Sequence, residues 1–111
     1  LCMGLLPIEP FFEKAKLYFK MEKYRSAAIA FKSTMSEFPD TKYKEEILFL
    51  SLKSNYLYAF NSVERKKIER FEETIKSYHN FVDSFENSRK LKEAENYYLS
   101  SLKELEKLKS Q

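Results

Sequence analysis

The sequence contains few residues whose type and spacing could support catalysis or bind a metal. His79 is the only histidine and Cys2 is the only cysteine, whereas a zinc or catalytic metal site needs several convergent ligands. We therefore interpret His79, which follows Tyr78 on a predicted helix, as a hydrogen-bonded or solvent-facing imidazole. A single cysteine cannot form an internal disulfide, so cysteine content does not indicate a redox compartment.

Two pairs of adjacent glutamates are the remaining candidates for acid–base chemistry. Glu45 precedes Glu46, and Glu72 precedes Glu73. Adjacent side chains on an α-helix point about 100° apart, so neither pair can present two facing carboxylates. The sequence also lacks a nucleophile elbow and a phosphate-binding loop. We therefore expect a protein that is not an enzyme, with no cofactor and no metal.

The composition favours one small helical domain. Hydrophobic residues make up 43% of the 111 positions and aromatic residues 16%, which is enough to form a core. Glycine occurs once and proline three times, so tight hairpins are scarce and an all-helical chain is expected. The 20 basic and 17 acidic residues are interleaved, a pattern that is typical of solvated helix surfaces and argues against nucleic-acid binding.

Apolar residues recur at helical spacing in five blocks. In the second block they fall every three or four residues from Tyr24 to Phe38, and Pro39 ends the block. We expect Asp40 or Thr41 to cap the third helix. We call the apolar residues that share one face of a predicted helix its stripe. The predicted stripes are Phe11, Ala15 and Tyr18 in the first helix, Ile68, Phe71, Ile75, Tyr78, Val82 and Phe85 in the fourth, and Leu91, Ala94, Tyr98, Leu102 and Leu105 in the fifth. The third block, from Tyr43 to Phe60, is apolar on nearly all sides.

The second and fourth helices are related by an internal repeat. A shift of 47 residues places Tyr24 on Phe71, and the same shift places Thr41, in the turn that follows, on Ser88. A register that persists through a helix, its end and the next helix start is typical of helical hairpins stacked in a row.

The first hairpin has the spacing of a tetratricopeptide repeat. The six matching positions are Phe11, Ala15, Tyr18, Ala27, Phe31 and Pro39. In that repeat, small residues lie where antiparallel helices cross, so we expect Ala27 to form this contact and Ala28 to face the following hairpin. We predict an all-α fold of about five helices, arranged as tetratricopeptide-like antiparallel hairpins in a short right-handed solenoid. Residues 10–111 would form one domain of about two and a half repeats, and residues 1–9 a ragged segment or the end of a preceding helix.

Five segments carry a further resemblance: YRSAAIAF, FPDTKYKEE, KSNYLYAFNS, ERKKIERFEETI and KEAENYY. From Phe11 to Leu108 the chain resembles the C-terminal repeats of the BamD family of outer-membrane assembly lipoproteins, in the form found in Bacteroidetes. The resemblance implies a scaffold on the periplasmic face of the outer membrane, where it would bind the periplasmic domains of the barrel subunit, other assembly lipoproteins and unfolded outer-membrane proteins. The sequence differs from a whole family member because it lacks the N-terminal repeats and the lipid-bearing cysteine, and because Phe85-Glu86-Asn87 replaces a Phe-Pro-Asp type of stop.

The expected partner-binding residues lie at inter-helix turns, where a scaffold can vary its surface without disturbing its core. They are Lys42, Tyr43, Lys44 and Glu45 after Pro39, and Arg65, Lys66, Lys67 and Arg70 after Val63. A plain solvated turn is the alternative interpretation of the basic segment. The aromatic residues off the stripes are candidate interface anchors: Phe12, Phe19, Tyr43, Tyr58 and Tyr97.

Two other functional classes remain open at this point. The chain could be a tetratricopeptide module for an unrelated partner, since repeats of this type are general scaffolds. A helical repeat that binds nucleic acid is the least favoured class, because the basic residues are not clustered on one face.

Overall fold

The computed structural model describes residues 7–111, which form five α-helices and contain no β-strand. The helices are α1 (Glu9–Lys20), α2 (Tyr24–Glu37), α3 (Lys44–Phe60), α4 (Glu64–Ser84) and α5 (Leu91–Lys109). The all-α prediction is confirmed for this part of the chain. Of the predicted N-terminal segment 1–9, residues 1–6 lie outside the described residues, and Glu9 already belongs to α1.

Consecutive helices pack against each other along the chain, and α3 also contacts α5. The turns alternate in length, with three residues after α1 and α3 and six residues after α2 and α4. Short turns make neighbouring helices antiparallel, so the helices form a row of hairpins that measures 58 × 29 × 19 Å. This is a helical-hairpin, solenoid-like fold.

The two six-residue turns have the same hydrogen-bond pattern, as expected for an internal repeat. In the first turn, the Tyr43 N–H donates to Thr41 Oγ1 at 3.1 Å. In the second, the Lys90 N–H donates to Ser88 Oγ at 3.0 Å. The backbone N–H groups of Thr41 and Ser88 each donate to the carbonyl three residues earlier, at 3.2 and 3.1 Å.

The expectation that Asp40 or Thr41 caps α3 is wrong. The N-cap residue of α3 is Tyr43, and no side chain accepts a hydrogen bond from the first turn of this helix. The Thr41 hydroxyl instead accepts a hydrogen bond from the Tyr43 N–H. It cannot cap the helix because one further backbone turn lies between Thr41 and α3, and a hydrogen bond from the Lys44 N–H to the Thr41 carbonyl closes that turn.

Buried side chains form three apolar clusters between neighbouring helices. The first joins α1, α2 and α3 and contains Ala15, Ala27 and Phe31, all fully buried. Ala27 therefore lies at the helix contact that the repeat pattern predicts. Ala28 lines a groove of about 530 Å³ between α2, α3 and α4, which agrees with its expected position facing the following hairpin.

The buried faces of α1 and α5 are rotated relative to the predicted stripes. Phe11 is 39% exposed and rests on the Phe38 ring at 5.5 Å, whereas Phe12 is buried and therefore belongs to the core instead of anchoring a partner. In α5, Leu102 is 40% exposed and Ser101 is buried in its place. In both helices the apolar spacing therefore locates the helix but misplaces its buried face by about one residue.

Candidate docking groove

A groove of about 1010 Å³ lies between the two six-residue turns. Because α3 and α4 run antiparallel, the turn before α3 and the turn after α4 lie on the same side of the row of helices. The lining consists of Lys42, Tyr43, Glu45 and Glu46 on one side and residues 84–90 on the other. We call this space the turn groove.

Side-chain contacts hold both walls of the turn groove in place. Ser88 Oγ donates a hydrogen bond to Glu45 Oε2, which joins the second turn to the first turn of α3. The Lys90 ammonium lies 5.0 Å from the centre of the Phe49 ring, and the Tyr43 ring packs 5.1 Å from that of Phe12. The groove is therefore built on packed helix ends and not on isolated loop backbone.

The rim of the turn groove carries exposed charges of both signs. Lys42, Glu86 and Arg89 are all exposed, and within residues 7–111 none of the three forms an ion pair. Unpaired rim charges mainly govern the rate of association and the selection of a partner. A mixed pattern selects a partner surface of complementary pattern, not simply an acidic one.

The two predicted docking segments lie at opposite ends of α3. Lys42, Lys44 and Glu45 are at the start of α3, whereas the segment from Arg65 to Arg70 follows its end. A helix of 17 residues is about 25 Å long. The structure therefore does not bring the two segments into one surface, and their binding of a partner stays a prediction.

Most of the basic segment is engaged in contacts within the chain. Arg70 Nη1 donates to Ser62 Oγ at 2.7 Å, and its guanidinium lies 4.2 Å from the centre of the Tyr58 ring. Lys67 lies over the Phe60 ring at 5.7 Å. Lys66 pairs with a glutamate one turn further along α4 at 3.4 Å. The segment thus closes the α3–α4 turn, and in the described part of the chain only Arg65 among the four has no such contact.

A polar and aromatic cluster that the sequence pattern did not indicate lies on the face shared by α1, α3 and α5. Lys53 Nζ lies 3.4 Å from Glu93 Oε2 and 5.7 Å from the centre of the Phe19 ring. The Tyr97 hydroxyl donates to the same Glu93 carboxylate, and its ring packs 4.8 Å from that of Tyr56. Of the candidate anchors, Phe19 and Tyr97 therefore pack within the chain while remaining partly exposed.

The electrostatics of this cluster follow from its contacts. The hydrogen bond from Tyr97, with a smaller contribution from the Lys53 charge, lowers the pKa of Glu93 below its ordinary value of 4.5 although partial burial opposes the shift. Burial and the Glu93 carboxylate together raise the pKa of Tyr97 well above its ordinary value. Tyr97 is therefore neutral and Glu93 is ionised at neutral pH, so Glu93 presents a negative charge to Lys53 and this ion pair joins α5 to α3.

No protein family model matches the chain, and no match to it was found among curated proteins. Within residues 7–111, no group of three or more His, Cys, Asp and Glu side chains is arranged to hold a metal ion. No helix in this range has the length and apolar character that crossing a membrane requires.

Proposed function

We propose that the protein is a docking scaffold of the outer-membrane β-barrel assembly machinery. In this proposal it acts at the periplasmic face of the outer membrane, as part of a lipid-anchored protein. It binds the periplasmic domains of the barrel subunit and other assembly lipoproteins, and no step of its function is catalytic. The resemblance of the chain from Phe11 to Leu108 to the BamD family supports the choice of partner.

The turn groove is the observation that carries the proposal. Its walls are two turns with the same internal hydrogen bonds, and the Ser88–Glu45 bond connects them. Such a preorganised concave surface can receive a partner loop at a low ordering cost. The exposed charges of Lys42, Glu86 and Arg89 at its rim are then available to select that partner.

Charge reversal at the two ends of α3 tests the proposal. The variant K42E/R89E changes the rim of the turn groove, and R65E/K66E makes the same change in net charge at the opposite end. Binding to the purified periplasmic domains of the barrel subunit would be measured by surface plasmon resonance at low and at physiological salt, after circular dichroism has verified that both variants are folded.

We expect K42E/R89E to slow association by about tenfold or more and to change its salt dependence, since rim charges act mainly on the association rate. This proposal places docking at the turn groove and not at the basic segment, most of which is engaged in contacts within the chain, so R65E/K66E should behave like the unmodified protein. Failure of the unmodified protein to bind these domains would overturn the choice of partner. A loss confined to R65E/K66E would overturn the assignment of docking to the turn groove.

A further inference from the structure

The groove of about 530 Å³ between α2, α3 and α4 is a second concave surface of the protein. Its walls are α2 and α4, its floor is α3, and its lining residues differ from those of the turn groove. A hydrogen bond of 2.7 Å from Asn55 Nδ2 to Ser77 Oγ joins the floor to the α4 wall. The groove is therefore built on packed helices, and we call it the α2–α4 groove.

The α2 wall combines an exposed apolar side chain with positive charge. Ile29 is 52% exposed, with Arg25 one turn before it and Lys32 one turn after it. Both basic residues are exposed, and within residues 7–111 neither forms an ion pair or lies over an aromatic ring. Glu37 is the only acidic residue of α2, and it lies about 140° round the helix from Lys32.

The charges on the other two helices do not cancel this positive charge. On α3, Lys44 lies in line with Ser51 of the floor, two turns away. On α4, Lys76 and Glu73 line the groove one turn apart, and Asp83 lies close to the line of Lys76. These α4 residues add one net negative charge, against three positive charges on α2 and the floor. The groove therefore has an excess of positive charge.

Positive charge beside exposed apolar surface favours an acidic peptide as the occupant. Arg25 and Lys32 are seven residues apart, which is about 10 Å along a helix, and an extended chain covers that distance in about three residues. Because Ile29 lies between them, the matching segment has an apolar residue between acidic ones. The phosphate backbone of a nucleic acid would leave Ile29 without an apolar contact.

We propose that the α2–α4 groove binds a short extended segment of a partner protein, in which acidic residues flank an apolar residue. The carboxylates pair with Arg25 and Lys32, and the apolar side chain packs against Ile29. Charge complementarity of this kind sets the association rate and the selection of the partner. The site is separate from the turn groove and does not depend on the partner proposed for it.

Two synthetic peptides test this proposal directly. Both have a central leucine, with two glutamates on each side in one peptide and two glutamines on each side in the other. Binding to the full isotope-labelled chain would be measured from its NMR chemical shifts, which also locate the perturbed amides. A single-stranded oligonucleotide with the charge of the glutamate peptide is the third probe, and sedimentation of the chain alone reports its oligomeric state.

Three variants separate the charge of the α2 wall from its apolar side chain and from net charge. R25E/K32E reverses the charge of the wall, and Ile29→Ser removes its exposed apolar side chain. K92E/K103E is the matched control, because it makes the same change in net charge at two exposed lysines of α5 that form no ion pair within the described part of the chain. Circular dichroism would verify that each variant is folded.

We expect the glutamate peptide to bind at least about tenfold more tightly than the glutamine peptide and to shift amides of α2 and α4. R25E/K32E should weaken its binding by at least about tenfold. Ile29→Ser should weaken it by about threefold, because apolar contact is lost. K92E/K103E should change it by no more than about twofold, since exposed charges far from the groove are screened.

Several results would overturn the proposal. These are an absence of binding, equal binding of the two peptides, shifts confined to other helices, or unchanged binding by Ile29→Ser. Equal weakening by R25E/K32E and K92E/K103E would mean that net charge alone matters. Tighter binding of the oligonucleotide than of the glutamate peptide would make a nucleic acid the occupant. A dimer of the unmodified chain that R25E/K32E converts to a monomer would make a second copy the occupant.

Discussion

Ser88 donates a hydrogen bond to the Glu45 carboxylate across 43 residues of sequence. The counterpart of Ser88 in the first turn is Thr41, whose hydroxyl within residues 7–111 bonds only to the nearby Tyr43 N–H. Ser88 makes that local bond as well, to the Lys90 N–H. The two positions therefore differ by one contact, the contact that ties the walls of the turn groove together.

This difference can be measured with two alanine substitutions. Thr41→Ala removes a local bond alone, whereas Ser88→Ala removes the equivalent local bond and the bond to Glu45. We expect Ser88→Ala to lower the free energy of unfolding by about 1 kcal/mol more than Thr41→Ala, the usual net contribution of one hydrogen bond. Urea unfolding of both variants measures the difference. Equal losses would mean that the Ser88–Glu45 bond does not stabilise the fold.

Ala27 and Ala28 should respond differently to enlargement. Ala27 is fully buried at the contact of α1 and α2, so Ala27→Leu should lower the free energy of unfolding by about 1–3 kcal/mol through overpacking. Ala28 lines an open groove, and Ala28→Leu should change it by no more than about 0.5 kcal/mol. Thermal unfolding of both variants tests this. Similar midpoints for the two would contradict a close helix contact at Ala27.

Arg70 should contribute to stability although it lies in a segment predicted to bind a partner. Its contacts with Ser62 and with the Tyr58 ring lead us to expect that Arg70→Ala lowers the free energy of unfolding by about 1–2 kcal/mol. Arg65→Ala serves as the control, because Arg65 is exposed and should be neutral within about 0.5 kcal/mol. Chemical denaturation would show equal effects if the Arg70 contacts were unimportant.

Glu93 should make the fold sensitive to acid. Its pKa is lower in the folded chain than the ordinary value of 4.5, chiefly because Tyr97 donates a hydrogen bond to it. The stabilising contribution is therefore complete above pH 4.5 and is lost as the pH falls through the folded-state pKa. We expect Glu93→Gln to be less stable than the unmodified protein at neutral pH and to lose less stability on acidification.

Thermal midpoints between pH 7 and pH 3 would test this expectation. Glu86→Gln is the matched control, since Glu86 is exposed and forms no ion pair within residues 7–111. Its midpoints should follow those of the unmodified protein throughout. If Glu93→Gln followed the same curve, the contacts of Glu93 with Tyr97 and Lys53 would not contribute to the pH dependence.

The sequence predicted the helices well because apolar periodicity and Pro39 mark them directly. Of the residues predicted after Pro39 to bind a partner, Lys42, Tyr43 and Glu45 line the turn groove and Lys44 does not; that they bind a partner stays a prediction. The other wall of this groove could also have been predicted from the sequence. The repeat register places Thr41 on Ser88 and so implies a second, similar turn that contains Arg89 and Lys90.

Other features could not be read from the pattern. The pairing of Lys53 with Glu93 depends on how α3 and α5 are rotated about their own axes, and each residue of error in a stripe corresponds to about 100°. The same uncertainty in helix rotation explains why the apolar spacing predicted Phe11, and not the adjacent Phe12, to be the buried residue. The contact between Glu93 and Tyr97 was also not predicted, although their four-residue spacing on one helix could have indicated it.

The separation of the core into three clusters has a consequence for hydrogen exchange. Each helix is held by its immediate neighbours, so in a linear array of this kind the ends can open while the centre stays folded. In the chain of residues 1–111, amides of α1, at one end of the described row of helices, should exchange with solvent earlier than those of α3, which contacts α2, α4 and α5. A bound partner that clamps either end would then slow exchange far beyond its own footprint.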